Sequence, residues 1–197
     1  MSAWDLPTTV EVGGEQVEIR SDYRVILDVM QALAAPELDE QERALVALSC
    51  FFPAFDPYDC EWSKEELDEA CERMVWFVNG GGNSAKDKRK RPRLMDWEQD
   101  FPLIVAPVNR VAGCEVRALP YLHWWTFLGY YQEIGGDCTF AQVVGIRSKR
   151  AKGQKLDKSD QAYYREHRDL IDLRRDATEE EQSIINEWTQ RPNAQQT

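Results

Sequence analysis

The sequence predicts a mainly α-helical fold with a small N-terminal β-hairpin. Three observations predict it. Apolar residues recur at three- and four-residue spacing through most of the chain. Helix-start signatures stand ahead of two such runs, at Ser63-Lys64-Glu65-Glu66 and at Thr178-Glu179-Glu180-Glu181. Alternation of apolar and polar residues is strict only around Gly13-Gly14, between Thr9 and Ile19.

That alternating stretch reads as two short antiparallel strands joined by a Gly-Gly turn. A lone hairpin is marginal in water, so it must pack on the helices, pair with another chain, or both. Asp22 is placed to cap the next helix, whose expected apolar stripe is Val25, Ile26, Val29, Met30 and Leu33, with Pro36 ending it. A second amphipathic helix is expected from about Asp39 to Phe52, with Leu45, Leu48 and Phe52 inward and Pro53 and Pro57 closing it. The third starts at the Ser63 box and turns Leu67, Ala70, Cys71, Met74, Val75 and Val78 inward; Gly80-Gly81-Gly82 stops it.

The densest apolar stretch runs from Asp96 to Ile146 and is expected to hold two buried helices and a shorter third. Asp96, Glu98 and Asp100 crowd the first turn, where carboxylates cap free N–H groups and complement the dipole. Leu103, Ile104, Val108 and Val111 follow at helical spacing, Pro102 fits a first turn, and Pro107 should kink or split the helix. Pro120 is expected to open the next helix. It carries Leu122, Trp125, Leu128 and Gly129 on one face and Tyr121, Trp124, Phe127 and Tyr131 on the adjoining one, so it is apolar nearly all round and suits a core or an interface. Beyond it, Lys149 to Lys158 reads as a basic loop. A helix from about Asp157 to Arg175 should bury Tyr163, Tyr164, His167, Leu170, Ile171 and Leu173, and the Thr178 box opens a last one with Ile184, Ile185 and Trp188.

The expected organisation is therefore residues 1–79 as hairpin plus three helices, 80–93 as a flexible basic linker or exposed loop, 94–190 as an aromatic-rich helical region, and 191–197 as a frayed tail. Charge divides the chain as well. Residues 1–79 hold 18 acids and 5 bases, whereas residues 80–95 hold 6 bases and 1 acid. The basic runs, 80–95 and Arg147 to Lys158, read as solvated loops or as docking surfaces for an acidic partner. A net charge of −11 argues against a nucleic-acid-binding module, and no aromatic residues interleave the bases to stack on nucleotides.

Signals for chemistry are weak. The five cysteines form no C-x-x-C pair and, with only His123 and His167 available, no zinc site is expected; they read as reduced small hydrophobes. The segment Gly80 to Lys86 lacks the spacing of a phosphate loop, and no nucleophile elbow is present. No catalytic residue, metal or cofactor is expected, and the chain does not read as an enzyme. No apolar run reaches the length of a membrane span, and Asp5 breaks the basic-then-apolar layout of a signal peptide, so a cytoplasm is the expected place.

Three groups of residues carry a resemblance. Arg93-Leu94-Met95-Asp96-Trp97-Glu98-Gln99-Asp100, then Leu122-His123-Trp124-Trp125-Thr126-Phe127-Leu128, then Thr139-Phe140 ahead of Val143-Val144-Gly145-Ile146-Arg147 resemble the tail-assembly chaperones of long-tailed, siphovirus-type phages and prophages. The likeness continues through Gly153 to Lys158 and Tyr164-Arg165 to Asp169 to Leu173, and is weaker at the hairpin. Such proteins are small and are encoded near the tape-measure protein. The resemblance implies the tape-measure protein as partner, the tail-tube protein as a second one, and the bacterial host cytoplasm as the location. A minor structural tail or connector protein retained in the virion is the alternative. Trp97, Trp124, Trp125, Phe127 and Tyr131 are the candidate partner-binding residues, because tryptophans and tyrosines anchor interfaces; the same residues equally suit a core. The hairpin edge and the aromatic helix also offer surfaces for a homo-oligomer.

Overall fold

The computed structural model describes residues 4–82 and 92–174, and among these it is helical apart from one two-stranded hairpin. Strand β1 (Thr9–Val12) pairs antiparallel with β2 (Glu15–Glu18), Val10 opposite Val17. Gly13 and Gly14 both take positive φ, 59° and 81°, as a two-residue turn matched to strand twist requires. The helices are α1 (Tyr23–Ala34), α2 (Glu40–Phe51), α3 (Lys64–Val78), α4 (Trp97–Ala112), α5 (Trp124–Gln132), α6 (Thr139–Ala151), α7 (Lys158–Glu166) and α8 (Arg168–Ile171). The mainly α fold with its hairpin is as the sequence predicts.

The hairpin packs on α3. Val10 and Val12 are buried, the Gly13 N–H donates to the Glu69 carboxylate (2.9 Å), and Arg73 Nε donates to the Glu11 carbonyl (3.1 Å). Starts of the helices follow the expected chemistry. Asp22 caps α1, Asp39 and Glu42 form a capping box on α2, and Ser63 and Glu66 form one on α3. At the far end of α2, Arg20 donates to the Ser49 and Cys50 carbonyls (2.7 and 2.8 Å), placing a cation on the negative end of the dipole.

One buried cluster joins β1, α1, α2, α3, α4 and α5 and runs in sequence from Val10 to Phe140, drawing on both sides of segment 80–93. A smaller one of Val143, Ile146 and Ile171 lies between α6 and α8. Helix α1 packs against α2, α4 and α5, and α4 packs against α5 and α6.

Several expectations are corrected. The buried face of α1 is Tyr23, Ile26 and Val29, with Leu33 exposed near the open end of the helix. On α3 Phe77 is buried and Val75 is exposed, because the inward line is Ala70, Met74 and Phe77 at i, i+4, i+7. Helix α4 continues through Pro107, and Pro102 sits in its second turn. Val111 is exposed in its last turn. Pro120 lies ahead of α5, which His123 caps; Tyr121 therefore stays outside the helix and exposed. A short 3-10 turn, Val116–Ala118, occupies the connection. Lys149 and Arg150 belong to the last turn of α6, since basic residues suit a helix C-terminus. The expected helix over 157–175 breaks at His167 (φ −123°, ψ 38°) into α7 and α8, and of its expected buried residues Ile171 is the fully buried one. Linker residues 83–91, the Thr178 box with Ile184, Ile185 and Trp188, and the tail 191–197 lie outside the described residues.

Candidate partner-binding site

Two backbone seams fix α5 against the N-terminal half. The Tyr23 N–H donates to the Leu122 carbonyl (2.9 Å) and the Trp124 N–H to the Ser21 carbonyl (2.8 Å). Asp22 serves both helices at once. One carboxylate oxygen accepts from the Arg24 N–H (3.0 Å) and the other from the Leu122 N–H (3.0 Å). His123 closes the seam: Nδ1 accepts from the Trp125 N–H (3.1 Å), which leaves Nε2 as the protonated nitrogen, donating to the Pro7 carbonyl (3.0 Å). Its pKa is lowered, mainly by burial, with the Pro7 bond working the other way. An accepting Nδ1 requires the neutral ring, and burial favours that form.

The two tryptophans that follow cap a different helix. Trp124 Nε1 donates to the Val78 carbonyl and Trp125 Nε1 to the Phe77 carbonyl, both at 2.9 Å, so the two indoles serve carbonyls in the last turn of α3. That end is closed by a Schellman turn, in which the Gly81 N–H donates to the Trp76 carbonyl and the Gly80 N–H to the Phe77 carbonyl, each at 3.0 Å. Gly81 takes φ +79° and lies so close to the Trp125 ring that an added Cβ would sit 2.7 Å from Cη2.

The five aromatic residues singled out by the sequence divide by depth. Trp124 and Phe127 are wholly buried, their rings 5.7 Å apart, and Phe127 stacks on Tyr23 at 4.6 Å. Neither reaches the surface, so their part is support. Trp97, Trp125 and Tyr131 are half-buried. Trp125 faces Trp76 and Phe77, with centroids at 5.4 and 5.7 Å. Tyr131 meets Trp97 at 5.0 Å and donates to Met95 Sδ (3.0 Å); its phenol pKa is raised, first by burial and then by Asp100.

Trp97 has a double position. Inward it packs on Trp124, Phe127 and Tyr131; outward it lines two adjoining hollows between α1 and the start of α4, each of about 480 Å³. The hollows share Gln31, Trp97 and Glu98 and together make one groove. Leu27, Met30, Met95, Trp97 and Phe101 give it an apolar floor, while Arg24, Asp28, Glu98 and Arg117 supply charge of both signs around it. Leu27, Met30 and Phe101 are not among the candidate residues the sequence offered. Their spacing marks them as helix-stripe residues, and no sequence signal says that α1 and α4 leave a gap.

The second basic run is engaged within the chain over its first half, whereas Lys152, Lys155 and Lys158 are exposed. Arg147 is buried, Lys149 pairs with Asp160, and Arg150 pairs with Asp172 while lying 4.2 Å above the Tyr164 ring. Asp100, expected as a capping group, is wholly buried and accepts from both Arg147 and the Asp96 N–H. The signal for Arg147 was its place in Val143-Val144-Gly145-Ile146-Arg147, one helical turn beyond the buried Val143. Among the described residues no cluster of three or more His, Cys, Asp or Glu is arranged to hold a metal ion, and no helix is long and apolar enough to cross a membrane. The five cysteines are unpaired thiols, with Cys50 and Cys71 pushed up in pKa chiefly by burial.

A family model described as bacteriophage Gp15 protein matches residues 4–173, nearly the whole described chain. No curated protein and no solved structure matches the sequence.

Proposed function

The chain belongs to the bacteriophage Gp15 protein family, and from that premise we propose that it is a tail-assembly chaperone, binding the tape-measure protein and keeping it soluble in the host cytoplasm while the tail is built. Family membership makes it a phage structural or morphogenesis protein. The chaperone role is the finer reading, and the α1–α4 groove is the observation that carries it. A tape-measure protein is a very long helical chain whose apolar stripes aggregate when bare. A half-open groove between two helices, floored by Leu27, Met30, Trp97 and Phe101, suits the apolar face of one helix.

The mechanism needs no catalysis. Apolar side chains of the partner leave water against the floor, each contributing about 1.5–3 kcal/mol before the costs of ordering are subtracted. The strong acidic excess of residues 1–79 keeps the complex soluble. Tail-tube subunits then displace the chaperone as they polymerise around the tape-measure protein. Trp124 and Phe127 hold Trp97 in place from behind.

Mass spectrometry of finished virions tests this reading. A chaperone is absent from the particle, and the tape-measure protein is aggregated in cells lacking it. Recovery of the chain in stoichiometric amounts from purified particles, with tape-measure solubility unaffected by its loss, makes it a minor structural tail or connector protein instead.

A further inference from the structure

A separate hollow, of about 540 Å³, lies between the hairpin and the connection from α2 to α3, and it shares no residue with the α1–α4 groove. Phe55 and Trp62 line it with their ring centroids 5.3 Å apart, and Trp62 is braced edge-on against buried Phe52 at 5.2 Å. Val17 of β2 lines it as well. Around these apolar side chains stand Glu15, Asp56, Asp59, Glu61 and Glu66, and no base lines the hollow. Among the described residues none of these carboxylates is ion-paired. Beside them β2 leaves a sheet edge open. β1 meets α3 through Glu11, whereas β2 pairs with β1 alone among the described residues. The Ile19 N–H donates to the Thr8 carbonyl (3.0 Å), so the alternation of the ladder turns the N–H and C=O groups of Gln16 and Glu18 outward.

We propose that an extended, lysine-bearing segment of a partner protein docks here as a third strand on β2, with alternate lysines entering the hollow. Strand addition satisfies the outward groups of Gln16 and Glu18 with the partner's backbone. The period of two then sends every second side chain of the added strand to the face that carries Glu15 and Val17, which is the face of the hollow. Lysine suits what it meets there. Its four-carbon stem lies on Phe55 and Trp62 while its ammonium reaches the carboxylates. An acidic side chain would meet like charge on the same rim. The open edge commits the occupant to a polypeptide, because a free polyamine gains the charge attraction and none of the backbone pairing.

The test titrates a capped synthetic peptide of alternating lysine and threonine into the isotope-labelled full chain at low salt, read by nuclear magnetic resonance. The amide signals of Gln16, Val17 and Glu18 and the indole N–H of Trp62 shift together and saturate. Asp59→Asn/Glu61→Gln, at two exposed positions, weakens binding roughly tenfold, the loss expected from two charge pairs. N-methylation of the threonines, whose N–H groups face β2, keeps the charge of the peptide and abolishes the shifts at Gln16 and Glu18. Binding that survives N-methylation, or that spermine reproduces with the same shifts, overturns strand addition and leaves a charge attraction only. Unchanged affinity of the double variant, or the absence of saturable shifts at β2 and Trp62, overturns the site. No tape-measure protein enters the test, so its failure leaves the chaperone reading standing, and loss of that reading leaves this site intact.

Discussion

Arg147 and Asp100 form a bidentate ion pair in the interior, at 2.6 and 2.9 Å, with side-chain exposures of 5% and 0%. The guanidinium also donates to the Ile171, Leu94 and Leu170 carbonyls at 2.6, 3.1 and 3.0 Å, so all five of its N–H groups are engaged. The pair therefore ties α6 to the first turn of α4 and to α8. Removing either partner strands a buried charge, and Arg147→Met or Asp100→Leu alone is expected to cost about 3–5 kcal/mol in urea unfolding. The double variant recovers much of that loss, because no charge is then left inside. Amide exchange of residues 168–171 speeds up in the Arg147→Met chain.

Gly81 and Trp125 make a second testable contact. Gly81→Ala combines a left-handed backbone, costing about 1–2 kcal/mol for an L-residue, with a Cβ 2.7 Å from a ring carbon of Trp125. The variant is expected to lose more than 1–2 kcal/mol in thermal unfolding and to change the near-ultraviolet circular dichroism of the tryptophans. Gly113→Ala, also at positive φ but with open space around it, shows the backbone cost alone and serves as the control.

Stability should depend on pH through His123. Burial lowers its native pKa, so the folded protein keeps the ring neutral where the unfolded chain, titrating near 6.5, takes up a proton. The contribution is complete above about pH 6.5 and is lost as pH falls through the lowered native value. Melting temperature is expected to be flat from pH 8 to 7 and to drop as pH falls below about 6.5. His123→Gln is less stable at pH 7.5 but lacks that drop. Glu66 and Glu69, held low first by the Ser63 and Gly13 N–H groups, act in a separate window: their contribution is present above about pH 4.3 and is lost at lower pH.

The aromatic residues should separate into supports and contacts. Trp124→Ala is expected to cost about 3–5 kcal/mol of stability, as a wholly buried ring that also serves the Val78 carbonyl. Trp97→Ala costs less and removes groove floor, so it weakens partner capture while the fold remains. Calorimetry with circular dichroism of both variants, beside co-precipitation of the tape-measure protein, checks the distinction.

What the sequence made legible was what local chemistry decides. The Ser63 capping box, the Asp22 and Asp96 caps and the Gly13-Gly14 turn can be read because each works within about four residues. Contacts between distant elements were not legible. Nothing near His123 announces that it caps α5 while reaching the Pro7 carbonyl 116 residues away, and Pro120 drew the helix start toward itself. Arg147 looked like the head of a solvated basic run because charge counting ignores that residue 147 shares a helical face with Val143. The candidate site followed the same division. Its aromatic richness was plain, but which rings are core and which reach the groove depends on how α1, α4 and α5 meet.

The central claim is that the α1–α4 groove captures a tape-measure helix. The most direct measurement is the soluble fraction of tape-measure protein co-expressed with this chain and with its Gln31→Arg/Glu98→Arg variant, in which two exposed groove residues are replaced by larger cationic ones. The account predicts that the native chain brings the tape-measure protein into solution and that the variant, folded by circular dichroism, does so several-fold less. Equal solubilisation by both chains would contradict the groove, and none by either would contradict the chaperone.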